Sequence, residues 1–240
     1  MDLAEPILKA IYGLGFSGPS PVQSRAVFPH KSGRDVIVQS QSGTGKTLAF
    51  ALGAICSVDE KNGQPQIIVL CHTRELCAQT AQVFSDLLKF SPINHHVLTG
   101  GGPPPIVDSQ ELSHGKQIIV GTTGKIKNMI ERNRFNTAHV KQIICDEADK
   151  MIQDVDFIQD ISEICNNLPL KSTLQICLYS ATIGLKVLEQ VKELMREDHY
   201  SLLVPTEEVA LKGNCLPFFV NVVKLVVMYI FLLCLWFLFI

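Results

Sequence analysis

The chain has 240 residues, long enough to bury a substantial core, and its 21 basic against 23 acidic residues leave a formal charge of -2. That balance excludes a global basic field of the kind that advertises nucleic acid, so any polyanion must be held locally. The eight cysteines are scattered without a C-x-x-C pair, and no apolar segment near Met1 has the form of a signal peptide. Both observations argue against a secreted disulfide scaffold and for a reducing compartment, cytoplasmic or nuclear.

Taken in chain order, short runs rich in Val and Ile alternate with helical stretches up to residue 204. The run Asp35 to Gln39 reads as a buried strand. It leads into SQSGTGKT at residues 40–47, and LAFALGAIC then has the pattern of a helix. A strand, a glycine-rich loop and a helix form the context that a phosphate-binding loop requires. Gly43 and Gly45 permit backbone that a side chain would block, so N–H groups along Ser42, Gly43, Thr44 and Gly45 are able to face phosphate oxygens. Lys46 has the reach for the β- and γ-phosphates, and the Thr47 hydroxyl is a magnesium ligand of the right hardness. A Gly-Thr-Gly turn before an ordinary helix is the plain alternative.

Gln66 to Leu70 is the next buried strand. The stretch after Thr73 places Leu76, Thr80, Val83, Leu87 and Phe90 on one helical face. Strands at Gln117 to Val120 and Gln142 to Cys145 follow, and the latter closes as IICDEAD at residues 143–149. Acidic residues at the end of an apolar strand are what a phosphate-loop ATPase needs beside its loop. Asp146 is placed to hold magnesium, and Glu147 to orient and deprotonate the attacking water. Leu174 to Leu178 is a fifth strand, and the stretch after Gly184 sets Leu188, Val191 and Met195 on one face. Strand–helix alternation of this kind implies an α/β fold, a parallel sheet flanked by helices on both faces, with ligands beyond the carboxyl ends of the strands.

With these stations in place, residues Leu3 to Leu211 resemble the first, amino-terminal RecA-like domain of DEAD-box ATP-dependent RNA helicases, P-loop enzymes with DEAD itself at Asp146 to Asp149. GFSGPSPVQ (15–23) resembles the family's Q motif, which implies that Gln23 reads the adenine edge. HTRELCAQ (72–79), TGG (99–101), GTTGK (121–125) and SAT (180–182) resemble further motifs in the family's order. The resemblance implies ATP and magnesium as cofactors, with Lys46, Asp146 and Glu147 catalytic. It also implies grip on the backbone of single-stranded RNA by Thr73, Arg74, Gly101, Thr122 and Gly124, independent of base sequence. Ser180 and Thr182, with Asp149, are implied to couple hydrolysis to strand separation.

The sequence departs from the family at several points. Thr123 and Lys125 stand where the family has Pro and Arg in TPGR, and His72 replaces the Pro before TREL. An adenine-stacking aromatic residue of the family falls ahead of Met1. No second RecA-like pattern follows residue 205, and an arginine supplied from such a domain is worth about three to five powers of ten in related phosphoryl transfers. The chain alone is therefore expected to hold nucleotide but hydrolyse it poorly, and a non-catalytic ATP- and RNA-binding isoform is the alternative reading.

The organisation expected is a RecA-like domain over residues 1–204, a linker remnant at 205–215 and an apolar tail at 216–240. After Lys212 the only charged residue is Lys224. Leu225 to Ile240 would make about 24 Å of helix against a hydrocarbon core of about 30 Å, and residues 218–240 reach further if Lys224 snorkels. A membrane segment is one reading of the tail. The preferred one is an altered carboxyl terminus, from truncation, alternative splicing or read-through of non-coding sequence; a buried amphipathic helix fits least, because the tail has no polar face.

Overall fold

The computed structural model describes residues 3–148, 157–169, 173–183, 189, 192 and 194–204. Its helices are α1 (Glu5–Gly13), α2 (Pro21–Lys31), α3 (Lys46–Ile55), α4 (Arg74–Leu88), α5 (Pro105–Ser113), α6 (Thr123–Glu131) and α7 (Phe157–Asn166). Its strands are β1 (Val36–Gln39), β2 (Ile67–Cys71), β3 (His95–Leu98), β4 (Ile118–Thr122), β5 (Gln142–Asp146), β6 (Gln175–Ser180) and β7 (Tyr200–Leu203).

The seven strands form one sheet in the order β3-β4-β2-β5-β6-β1-β7, and every pairing is parallel. Burial explains why. Val36–Val38, Ile67–Cys71 and Ile143–Cys145 are wholly enclosed, which a strand achieves only when helices cover both its faces. Side chains alternate across each strand. Ile37, Ile68, Leu70, Ile119, Ile143 and Ile176 meet Ile126 and Met129 of α6 and Ile161 and Ile164 of α7 in one core cluster. On the other face the Phe50 ring of α3 lies 5.3 Å from Tyr179 and 6.5 Å from Phe84 of α4. Helices α2 and α1 then pack on α3 and α4 respectively.

The five expected strands are present, and helices cover both faces. Two edge strands escaped the sequence reading. β3 carries His95 and His96 in place of an apolar run, and β7 buries only Leu202 of its four residues. The face expected on α4 is rotated. Thr80 and Leu87 do point inward, but their companions are Cys77, Ala81, Phe84 and Leu88, while Phe90 lies beyond the helix end, 42% exposed. Lys9 and Lys89 place ammonium groups 4.5 and 5.7 Å from the Phe90 ring.

Met195 is buried, but in a bend rather than on the helical face expected for it, whereas Leu188 and Val191 lie outside the described residues. So do Asp149 and all of 205–240, where the linker and apolar tail are expected. Among the described residues no helix is long and apolar enough to cross a membrane.

Candidate nucleotide and nucleic-acid interface

Because the sheet is all parallel, the loop after every strand emerges at one edge. β6 lies between β1 and β5, with Gln39 opposite Ser180 and Asp146 opposite Tyr179. The phosphate loop after β1 and the carboxylates after β5 therefore face each other across one intervening strand, about 10 Å apart at the backbone.

The loop is built as its glycines suggested. Gly43 and Gly45 have φ of 79° and 89°, a left-handed backbone that disfavours any side chain. Gly45 is required twice over, since a Cβ there would stand 2.4 Å from Gln23 Nε2, whereas one on Gly43 meets nothing within 4 Å. Lys46, the first residue of α3, folds back so that Nζ donates to Ser40 O at 2.6 Å and Gln41 O at 3.0 Å. Ser42 is exposed on the loop and Thr47 is half-buried in the first turn of α3.

Ser40 sits where the general phosphate-loop pattern has its first glycine, and the structure gives it a task the sequence did not show. It is fully buried, its hydroxyl lies 2.8 Å from Thr44 Oγ1, and its N–H donates to Ser180 O at 3.1 Å. One residue thus closes the loop on itself and ties it to the SAT strand.

Gln23 lies against this loop. Ser20 caps α2 in a capping box: Gln23 N donates to Ser20 Oγ, and Ser20 N donates to Gln23 Oε1 at 2.8 Å. Ser20 Oγ then donates to Thr44 O at 2.8 Å, and Gln23 Nε2 to Gly45 O at 3.3 Å. The Q-motif residues therefore brace the loop's backbone. Each Gln23 amide atom retains a further hydrogen-bonding position by valence. Ser20 was missed by the sequence reading, although S-P-V-Q is a legible capping-box signal with Pro at the first helical position.

Asp146 ends β5 at 2% exposure, and its Oδ1 accepts from Glu147 N at 2.9 Å. Glu147 has φ of 53°, a conformation a long side chain adopts only where its surroundings enforce it. The Asp146 carboxylate and Thr47 hydroxyl are hard oxygen donors, the set that suits magnesium. Ser180 Oγ donates to Thr182 O at 2.7 Å.

Beneath α3, buried His30 Nδ1 lies 2.9 Å from Tyr179 Oη, joining the helix that carries Gln23 to the strand that carries Ser180. Gly53 makes room for this pair, since a Cβ there would stand 2.5 Å from His30 Cγ. Burial holds the His30 imidazole down to about 4, so it is neutral at physiological pH.

The other half of the edge, β3-β4-β2, collects the remaining motifs. Thr73 caps α4 by accepting from Leu76 N at 3.1 Å, and both Thr73 and Arg74 are exposed. Gly101 has φ of 71°, and a Cβ on it would stand 2.7 Å from Arg74 Nη1, so the guanidinium covers this glycine closely. Thr122 ends β4 and is the residue before α6, while Gly124 is exposed in that helix's first turn with open space around it. Thr123 occupies the first position of α6, where Pro is favoured but not needed, so its replacement leaves the helix start intact. Lys125 is turned inward, with Nζ 2.8 Å from Asp108 Oδ2 and donating to Pro103 O at 3.2 Å.

Known proteins match this arrangement. Residues 20–191 match the family described as DEAD/DEAH box helicase. The chain is 39% identical over 225 residues to the ATP-dependent RNA helicase FAL1 of Candida glabrata, covering 93% of this chain and 55% of the relative. It is 40% identical over 213 residues to the ATP-dependent RNA helicase eIF4A of Kluyveromyces lactis, covering 89% of this chain and 52% of that protein. Among solved structures, S. cerevisiae Dbp5 bound to RNA and ADP BeF3 superposes with a TM-score of 0.75 at 31% identity, over 85% of this chain and 50% of Dbp5. A DEAD box protein from Methanococcus jannaschii gives 0.75 at 31% identity, over 85% and 55%. The chain thus spans about half the length of the relatives it matches. On the sheet order, the placement of the motifs and these matches, the chain belongs to the DEAD/DEAH box helicase family.

Proposed function

We propose that this chain is the ATP- and RNA-binding half of an ATP-dependent RNA helicase. The observation that carries the reading is the division of one sheet edge into two adjoining sets of loops. The ends of β1, β6 and β5 hold the phosphate loop, SAT and the acidic pair; the ends of β2, β4 and β3 hold Thr73, Arg74, Thr122, Gly124 and Gly101. The relatives' names as ATP-dependent RNA helicases and the RNA- and ADP-bound Dbp5 support it.

In this reading the N–H groups of residues 42–45 and the amino end of α3 receive the phosphates. Lys46 exchanges its carbonyl partners for the β- and γ-phosphates. Gln23 offers its remaining donor and acceptor positions to the adenine edge, which disfavours guanine. Thr47 and Asp146 are the residues that would hold magnesium, whose charge neutralises the phosphate oxygens when bound. Glu147 accepts the proton of the attacking water. Ser180 and Thr182, with Asp149, carry the state of this site toward the RNA side. The strand edge joins the two sets directly, since β5 pairs with β2. RNA is gripped by its backbone, through glycine N–H groups, Thr hydroxyls and the amino ends of α4 and α6, so binding is independent of base sequence.

Matched titrations test the site. Lys46→Ala should abolish binding of a fluorescent ADP analogue, while Glu147→Gln should keep binding and lose only turnover. Equal loss of binding in both variants would refute the assignment of roles. Residues 1–212 alone are expected to show little RNA-stimulated hydrolysis, and robust strand separation by that fragment would refute the need for a partner domain.

A further inference from the structure

Lys125 is the residue of GTTGK that the family resemblance would set against RNA phosphate, yet its ammonium is occupied from within. Asp108, on α5, is 1% exposed and holds Lys125 Nζ at 2.8 Å through Oδ2. His96 of β3 takes the other oxygen, with Nε2 3.0 Å from Oδ1. Lys125 also donates to Pro103 O, two residues beyond Gly101. The lysine is itself only 12% exposed at its side chain.

Resting on the RNA reading above, we propose that Asp108 withholds Lys125 from RNA and converts it into a clamp on the loop of residues 101–104. A buried carboxylate stripped of its cation is far more costly than one exposed phosphate contact is favourable, so Lys125 stays with Asp108 when RNA arrives. The clamp fixes Gly101 relative to Thr122 and Gly124, so the loops that meet the RNA backbone are set before RNA binds. RNA therefore meets preset backbone N–H groups on this corner and gains no ammonium there. Asp108 is a positioning residue that sets how many phosphates the chain neutralises.

The number of phosphates neutralised is read from the salt dependence of affinity, a quantity that loss of a purely structural contact leaves unchanged. Anisotropy titrations of the full 240-residue chain with labelled oligouridylate, between 50 and 200 mM KCl, measure it. Lys125→Met should weaken binding by loosening the loop but keep the slope of log K against log salt. Asp108→Asn should release the lysine and steepen the slope by about 0.7, which adds about a threefold loss of affinity across that salt range. The double variant should return to the wild-type slope. A slope shallower by about 0.7 in Lys125→Met would overturn the inference, because the lysine would already be touching phosphate. That arm decides even if Asp108→Asn fails to fold. An unchanged slope in a folded Asp108→Asn would overturn it equally. Absence of any RNA binding by the wild-type chain would instead overturn the RNA reading on which it rests.

Discussion

Gly45→Ala, set beside Gly43→Ala, separates two physical demands made on one loop. Both glycines are left-handed, at φ of 89° and 79°, so each alanine incurs a backbone cost of about 1–2 kcal/mol. Only at Gly45 does the new methyl collide, at 2.4 Å from Gln23 Nε2; around Gly43 there is open space. Displacing the Gln23 amide breaks its bonds to Gly45 O and from Ser20 N, worth about 1 kcal/mol each. Gly45→Ala should therefore be less stable than Gly43→Ala by about 2 kcal/mol, or about 6 °C in Tm for a domain of this size. Thermal melts of the two variants measure the difference. Titration with adenosine and guanosine diphosphates adds a second reading, because moving Gln23 should erode discrimination between them in Gly45→Ala alone. Equal melting temperatures and equal base preference in the two variants would refute the bracing of the loop by Gln23.

Two further outcomes follow from other parts of the site. His30 is depressed to about 4 from 6.5, so the unfolded chain binds the extra proton between those values, and stability falls as pH drops through that window. Urea melts should lose about 2 kcal/mol between pH 7 and 5 from this group, and a His30→Gln variant should lack that component; an unchanged pH dependence would count against the buried neutral histidine. Gly101→Ala places a methyl 2.7 Å from Arg74 Nη1 at a φ of 71°. It should weaken RNA binding several-fold while leaving ADP affinity intact, and a parallel loss of both would show that the two halves of the edge are not separable at this residue.

Much of this architecture is legible in one dimension because its determinants are local. A central parallel strand must be apolar on both faces, so Ile67–Cys71 and Ile143–Cys145 announce themselves as runs. A phosphate loop must have glycine where φ is positive, and Gly43 and Gly45 are where that requirement puts them. Edge strands carry no such signature, since among the described residues one side of β3 or β7 has no strand neighbour, and polar residues such as His95 and His96 are tolerated there. The face of α4 was misjudged by one residue for a related reason. Apolar periodicity ranks residues by type, and small Cys77 and Ala81 won the inward positions against β2 and α3 over Leu76 and Val83.

The sequence by itself determined the alternating α/β pattern, the phosphate loop, the acidic strand end and the order of the motifs, because each depends on residue type at fixed spacing. Tertiary structure alone decided which groups meet. Nothing along the chain relates Gln23 to Gly45, Ser40 to Ser180 or His30 to Tyr179, pairs brought together by strand order and helix packing. It also decided the fate of Lys125. As a residue type it is a cation free to seek phosphate; in the fold its ammonium lies 2.8 Å from a buried carboxylate 17 positions earlier in the chain, at Asp108, a partner that only the packing of α5 beside the start of α6 supplies.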